Sequence, residues 1–485
     1  MANQGSPPVA LGEPWPRRAA GARGKGGAPP LALDAEAARQ LSACVHCGFC
    51  LPACPTYREL GEEADSPRGR IDMIGAAHRG EVALADPDLA LHLDRCLDCR
   101  ACESACPSGV RYHLLLEAAM AGLPARSAAE PEGAPADGAV GAVAPALLRF
   151  GLSHLVRHVR LLGFAAQAAR RWPGLARRLP PAVAELAAGL PLRPERPARF
   201  RLQRVLPAQG EERGEVDLFL GCVQDACFGG DNVAIARVLQ ACGYEVHLRA
   251  RQTCCGALHA HTGARGDLRR LARRNVQALS GDRPVVVGAA GCSATLREYG
   301  RVFAGTRLAA SASALAARVI DFSAFVGAMP AAQLPVAMPP GGAPVRVTYH
   351  DPCHLSHGQG VRRQPRELLA AVPGLQLVEM AEADACCGSA GVYNLTQPEL
   401  SAAVLRRKVD HIRESGARWV VTANPGCLLQ LRAGLRQAGL DVRVVSIAQV
   451  LAEAYAGSSG EAASRTPAHG LAAMRRGARS IGGGD

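Results

Sequence analysis

Residues 44–55 read CVHCGFCLPACP, and residues 96–107 read CLDCRACESACP. Cys44, Cys47, Cys50 and Cys54-Pro55 fall into the same register as Cys96, Cys99, Cys102 and Cys106-Pro107. Three cysteines two apart wrap three thiolates around one face of a cubic cluster, because each iron takes a soft anionic ligand. Pro55 and Pro107 lack an N–H and disfavour helix at the residue before them, which suits a chain leaving one cluster for another. In two-cluster ferredoxins the cysteine before that proline ligates the other cluster. The spacing therefore predicts one [4Fe–4S] cluster on Cys44, Cys47, Cys50 and Cys106, and a second on Cys96, Cys99, Cys102 and Cys54. Zinc sites usually pair two C-x2-C units per tetrahedral ion, which a doubled four-cysteine run is not. The gap 55–95 is long enough for helices around Arg70–Gly75 and Leu89–Asp94, so the module is expected to be helical. Pro67 suits a first helical turn. Arg68 and Arg70 belong either beside the anionic clusters or in solvent.

Outside these runs the chain is large, 485 residues with 18 cysteines. That cysteine content is too dilute for a small disulfide-stapled scaffold, and its clustering points to metal. Ten cysteines lie between positions 222 and 427. No run of 18 or more uncharged apolar residues occurs, and the first 36 residues lack an apolar secretory core. Residues 1–36 and 457–485 read as disordered tails, poor in large apolar side chains. The region 37–120 holds the cysteine runs, and 121–210 reads as a linker with basic amphipathic helices.

Beyond residue 211 short β-branched runs alternate with helical ones: strands at 217–220, 245–248, 284–288, 345–350, 375–378, 419–422 and 442–445, helices at 232–241, 266–279, 366–371 and 399–414. That alternation favours parallel α/β layers. A loose repeat runs through it. Cys222, Cys254-Cys255-Gly256 and Gly291-Cys292 correspond to Cys353, Cys386-Cys387-Gly388 and Gly426-Cys427. Two homologous α/β halves follow, over 211–330 and 340–456. Each cysteine follows a strand, and loops at the carboxyl ends of parallel strands are where such folds build sites. Cys222, Cys254, Cys255 and Cys292 form one candidate cofactor set, and Cys353, Cys386, Cys387 and Cys427 a second. His259, His350 and His354 are either further ligands or structural histidines. Cys227 and Cys242 break the repeat and are expected to pack as small apolar residues.

The paired arrays with HCGFC at 46–50 and PRGRI at 67–71, followed by two halves each with Cys-Cys-Gly, resemble the iron–sulfur subunits of bacterial glycolate oxidases. LHLDRC at 91–96, CPSGVRYH at 106–113 and CCGSAG at 386–391 fit the same family. The resemblance covers roughly residues 37–455. It implies an α plus α/β architecture, a helical two-cluster ferredoxin module followed by two CCG (cysteine-rich) α/β halves. It further implies two [4Fe–4S] clusters on the eight N-terminal cysteines and an oxidoreductase role without substrate chemistry of its own. Electrons would pass from FAD-containing partner subunits that oxidise glycolate to glyoxylate toward a quinone or another respiratory-chain acceptor. The absence of a G-x-G-x-x-G after any strand agrees with a flavin carried elsewhere. Equivalent subunits for lactate or glycerol 3-phosphate, or a CCG-type disulfide or quinone reductase subunit, are the alternatives. The related heterodisulfide reductase subunits close each half with Cys-x2-Cys, and here Cys292 and Cys427 lack that last cysteine, so a further metal or cluster in these halves stays open.

The formal charge is +12, and cubanes ligated by four thiolates subtract from it. Much of the excess lies in an arginine-rich stretch at 138–201, where Arg149, Arg157, Arg160, Arg170 and Arg171 stand beside Leu, Val and Phe. A basic amphipathic helix suits an anionic membrane surface, and the aromatic interleaving that stacks nucleic-acid bases is missing. The expectation is a cytoplasmic protein on the inner face of the cell membrane, with no nucleic-acid partner.

Overall fold

Runs of valine become the centres of two parallel sheets in the computed structural model, which describes residues 30–124, 189–190, 196–330 and 344–456. The basic helices expected at 146–178 lie outside the described residues. In the first sheet the strands are β1 (Val205–Leu206), β2 (Gly214–Phe219), β3 (Tyr244–His247), β4 (Val285–Val287) and β5 (Val319–Asp321), in the order β1-β3-β2-β4-β5. Only β1 is antiparallel. The second sheet holds β6 (Val345–Tyr349), β7 (Leu375–Leu377), β8 (Trp419–Thr422) and β9 (Arg443–Ser446), in the order β7-β6-β8-β9 and all parallel. The two halves therefore share one topology, with β3-β2-β4-β5 matching β7-β6-β8-β9. Val285, Val286 and Val287 are fully buried, as strands covered by helices on both faces must be.

Each sheet reverses winding direction between its first and third parallel strands in chain order, β2 and β4 in one half, β6 and β8 in the other. At such a switch point a crevice opens beyond the carboxyl ends of the strands. The two halves meet near those ends: Ala290 N donates to Ala423 O at 3.1 Å, and Gln449 Nε2 to Asp231 Oδ1 at 2.6 Å. One apolar core runs through both, uniting Val216, Leu218 and Val286 with Val347, Tyr349 and Val421.

The N-terminal module is a set of short helices around the cysteine loops. Leu31, six residues ahead of the boundary expected at 37, is already buried in it and donates its N–H to Ala77 O. Helix Ala35–Ala43 is capped by Asp34, and helix Pro67–His78 by Ser66 Oγ, which accepts from Gly69 N at 3.0 Å; Pro67 fills the first turn. Helix Pro87–Asp94 repeats that arrangement with Asp86 and Pro87. The module lies across both α/β halves. Arg111 pairs with Glu298 of the first half at 3.2 Å, while Arg58 pairs with Glu382 of the second at 2.6 Å.

Candidate metal centres

The two cysteine runs fold alike to the level of single dihedral angles. His46 (φ 54°) and Gly48 (φ 83°) in the first loop match Asp98 (φ 46°) and Arg100 (φ 62°) in the second, all left-handed. Three of these four are not glycine, so the loops hold backbone strain of the kind that persists at functional sites. The result is two cavities in the module. One is lined by Cys44, Cys47, Cys50 and Cys106. The other is lined by Cys54, Cys96 and Cys99. Cys102 stands in the wall between, bordering both. Burial pushes the Cys50 and Cys96 thiols up to about 11. Sets of soft donors converging on two cavities fit clusters of the expected kind. Amide donors are already aimed at the sulfurs, with Asp98 N 3.4 Å from Cys96 Sγ and Val110 N 3.4 Å from Cys106 Sγ.

In the first α/β half, Cys222 and Cys254 lie 3.3 Å apart at sulfur, and Cys255 and Cys292 3.1 Å apart. The second half gathers Cys353, Cys386, Cys387 and Cys427 in the same way, and Gly388 N donates to Cys386 Sγ at 3.4 Å, as Gly256 N does to Cys254. The Cys427 thiol is drawn down to about 5, first by the Cys387 thiol and then, against burial, by His350 and the Asn424 amide. Cys386 is lowered too, by the thiols of Cys353 and Cys387. Cys99, from the second N-terminal run, shares a buried cluster with Cys386, and Cys353 packs against its edge.

Comparison with known proteins adds a lineage to this geometry. Residues 40–110 match the model of the 4Fe-4S dicluster domain, and residues 216–297 and 347–432 that of the cysteine-rich domain. The Bacillus subtilis (strain 168) protein named "Probable glycolate oxidase iron-sulfur subunit" is 36% identical over 434 residues, 86% of this chain and 94% of its own length. The Escherichia coli (strain K12) "Glycolate oxidase iron-sulfur subunit" is 32% identical, covering 84% of this chain and 92% of its own. The chain belongs to the family of glycolate oxidase iron–sulfur subunits. A more distant likeness, 28% over 87% of this chain and 74% of the relative, is to a fumarate reductase (CoM/CoB) subunit of Methanothermobacter marburgensis.

Within this iron–sulfur subunit the three singled-out histidines part company. His350 is fully buried beside Cys387 and Cys427. His354 turns away from its own half's sulfurs, its Nε2 lying 2.8 Å from Asp98 O of the N-terminal module. His259 is buried, and desolvation lowers its basicity. Cys242 packs in the apolar core, and Cys227 against Phe228 and its neighbours.

Several groups escaped the reading of the sequence. Asp98 joins the module to both halves: its Oδ2 lies 2.7 Å from His261 Nδ1 and its carbonyl meets His354. Burial would raise its carboxyl, but His261 holds it near 2. Tyr393 of the second half donates to Arg95 O at 2.9 Å. The only hint in the sequence was the place of Asp98 between two ligand-spaced cysteines. Among the described residues no helix is long and apolar enough to cross a membrane.

Proposed function

We propose that this chain is the electron-transfer subunit of a complex that oxidises glycolate to glyoxylate. It takes electrons from an FAD-containing partner subunit and passes them toward a quinone or another respiratory-chain acceptor. In this reading Cys44, Cys47, Cys50 and Cys106 hold one [4Fe–4S] cluster, Cys96, Cys99, Cys102 and Cys54 hold the other, and the four-thiol sets of the α/β halves offer further sites. The domain bounds proposed are 37–120 for the cluster module, extended back to Leu31, 211–330 for the first half, extended back to take in β1, and 340–456 for the second half.

The observation that carries the reading is that Cys99 and Cys386 share one buried cluster and are near enough to feel each other's charge, which supports a path from the second N-terminal run to a thiol set of the second half. Such clusters supply one-electron transfer when bound. The protein's part is to hold the ligands, keep water out and favour the anionic sulfurs. Asp98 N–H and the Tyr112 hydroxyl, 3.7 Å from Cys96 Sγ, serve the second set, and Val110 N–H the first. Arg70, fully buried, brings its charge to Cys54 Sγ at 3.9 Å. A flavin bound by the partner would take up the two electrons that glycolate loses, and clusters held by the cysteines of this chain would accept them singly. The lack of any dinucleotide fingerprint in the sequence supports a separate flavoprotein. The names of the Bacillus subtilis and Escherichia coli relatives support glycolate as the substrate. The arginine-rich stretch supports attachment to the inner membrane face from the cytoplasmic side.

The test is to purify the chain anaerobically, alone and with its co-expressed flavoprotein, and to follow dye reduction with a panel of 2-hydroxy acids. Glycolate-dependent reduction is expected from the complex and not from the chain alone, and the complex is expected to leave membranes in a high-salt wash. Reduction by the chain alone would overturn the division of labour. A preference for lactate would reassign the substrate.

A further inference from the structure

The two α/β halves repeat one strand order and one set of four cysteines, yet they differ at a buried position beside the thiols. Three residues before Cys222 stands Phe219, the last residue of β2, packed in an apolar core with Cys255 and Cys292. Three residues before Cys353 stands His350, directly after β6. His350 is fully buried, and neither of its ring nitrogens has a hydrogen-bond partner. A buried polar group left unsatisfied costs about 1–3 kcal/mol, a penalty that the phenylalanine of the first half avoids. The ring is not free to escape, because its backbone is tied into the sheet by His350 N donating to Val421 O at 2.9 Å.

What His350 faces is sulfur. One of its ring nitrogens and the Sγ atoms of Cys387 and Cys427 all lie within 4.8 Å of one another, and all three residues are buried. A tetrahedral ion with bonds of about 2.0–2.3 Å keeps its ligands roughly 3.5–3.8 Å apart. A small inward closure of these three donors would therefore satisfy one ion and the orphaned imidazole together. Cys386 and Cys353 stand next in the same thiol set, and either one completes four ligands. The Asn424 amide, 3.5 Å from Cys427 Sγ, supplies the outer hydrogen bond that ligating sulfurs commonly receive.

We propose that the second half binds a single divalent ion of the zinc or ferrous class through His350, Cys387 and Cys427, with Cys386 or Cys353 as fourth ligand. This mixed nitrogen–sulfur site has no counterpart in the first half, where Phe219 takes the imidazole's place. Binding releases thiol protons and moves no electrons. Because Cys386 and Cys99 share one buried cluster, the ion would help fix the second half against the second cluster run. The inference sharpens the thiol set proposed above and does not depend on which acid the complex oxidises.

The experiment uses the full chain with its clusters intact, exposed to Zn2+ alone or to Fe2+ alone, desalted, and counted for both metals. About one ion per chain is expected beyond the roughly eight irons of two four-iron clusters, and the arm that retains it identifies the metal. In the zinc arm, X-ray absorption of the wild type should show nitrogen and sulfur in the same shell. His350→Phe, which copies the first half, and Cys427→Ser should each lower retention at least tenfold with the brown cluster absorption unchanged. Cys292→Ser, in the first half, should leave retention as it was. Should His350→Phe lose its clusters as well, the wild-type ligand shell decides. No retained ion, an all-sulfur shell, or loss in Cys292→Ser with retention in both second-half variants would overturn the site.

Discussion

Asp65 has no exposed surface, and two arginines and a histidine converge on its carboxylate: Arg70 at 3.1 Å, Arg95 at 2.9 Å and His92 at 3.0 Å. Burial alone would raise its pKa, and the His92 hydrogen bond with the two arginines brings it below the usual range. This knot holds Arg70 beside Cys54, so the choice between a cluster-side arginine and a solvated one falls to the former. Arg68 instead stays part-exposed, with its Nη1 on His46 O of the first loop at 3.3 Å. The cysteine spacing was legible residue by residue. The partner of Arg70 was not, since it depends on which helix comes to rest on which. The crossed ligand sets give a prediction at this scale. Cys106→Ser should remove the same cluster as Cys47→Ser, and Cys54→Ser the same one as Cys99→Ser, each leaving about four irons per chain. The electron paramagnetic resonance spectrum of the surviving reduced cluster checks it. Matching spectra for Cys106→Ser and Cys99→Ser would mean that each run ligates its own cluster.

Turns rather than strands decide how well the elements present their sulfurs. Gly388 has φ +87°, and a Cβ there would come 2.6 Å from Ser401 O. Gly360 has a similar φ of +70° but open space around it. The first substitution therefore meets both strain and a backbone clash, the second strain alone. Gly388→Ala should lower the melting temperature of the α/β body by more than about 4 °C, and Gly360→Ala by about half of that or less, at roughly 2–4 °C per kcal/mol. Calorimetry on the two variants compares them directly, and equal losses would refute the role given to Ser401. The same contrast explains what the sequence could tell about the elements. Val285–Val287 and Trp419–Thr422 are legible because apolar β-branched runs bounded by polar turns have one reading. β5 was missed because Val319–Asp321 follows an alanine-rich helix and precedes another helix with no turn residue on either side. Its counterpart β9, which likewise runs straight into a helix, was found because Val442, Val444 and Val445 mark it.

At the scale of the whole molecule, the cluster module is held to the first half by a titratable seam. His113, in the first turn of helix Tyr112–Gly122, has Nδ1 2.7 Å from Glu103 and Nε2 3.7 Å from Glu298. Arg111 and Arg301 face Glu298 as well, Arg301 also pairs with Glu117, and Arg100 lies close enough to oppose a charge on His113. Burial would lower the His113 pKa, but Glu103 and Glu298 more than compensate and raise it. Burial would likewise raise Glu298, and His113 with Arg111 and Arg301 holds it at about 2. The two shifts have opposite consequences. The stabilisation from Glu298, on the order of 3 kcal/mol at most, is complete above its unfolded pKa of about 4.3 and is lost as pH falls toward 2. That from His113 is complete below its unfolded pKa of about 6.5 and is lost as pH rises through its higher folded value. The alkaline limb is the testable one, because clusters tolerate it better than acid. Hydrogen exchange of the amides in Tyr112–Gly122, corrected for intrinsic rate, should show protection falling between pH 6 and pH 9. Glu298→Gln removes one of the carboxylates that raise His113 and should move that fall to lower pH, while His113→Gln should abolish it. A protection that stays level across this range in the native chain would mean that the seam is held by its arginines alone.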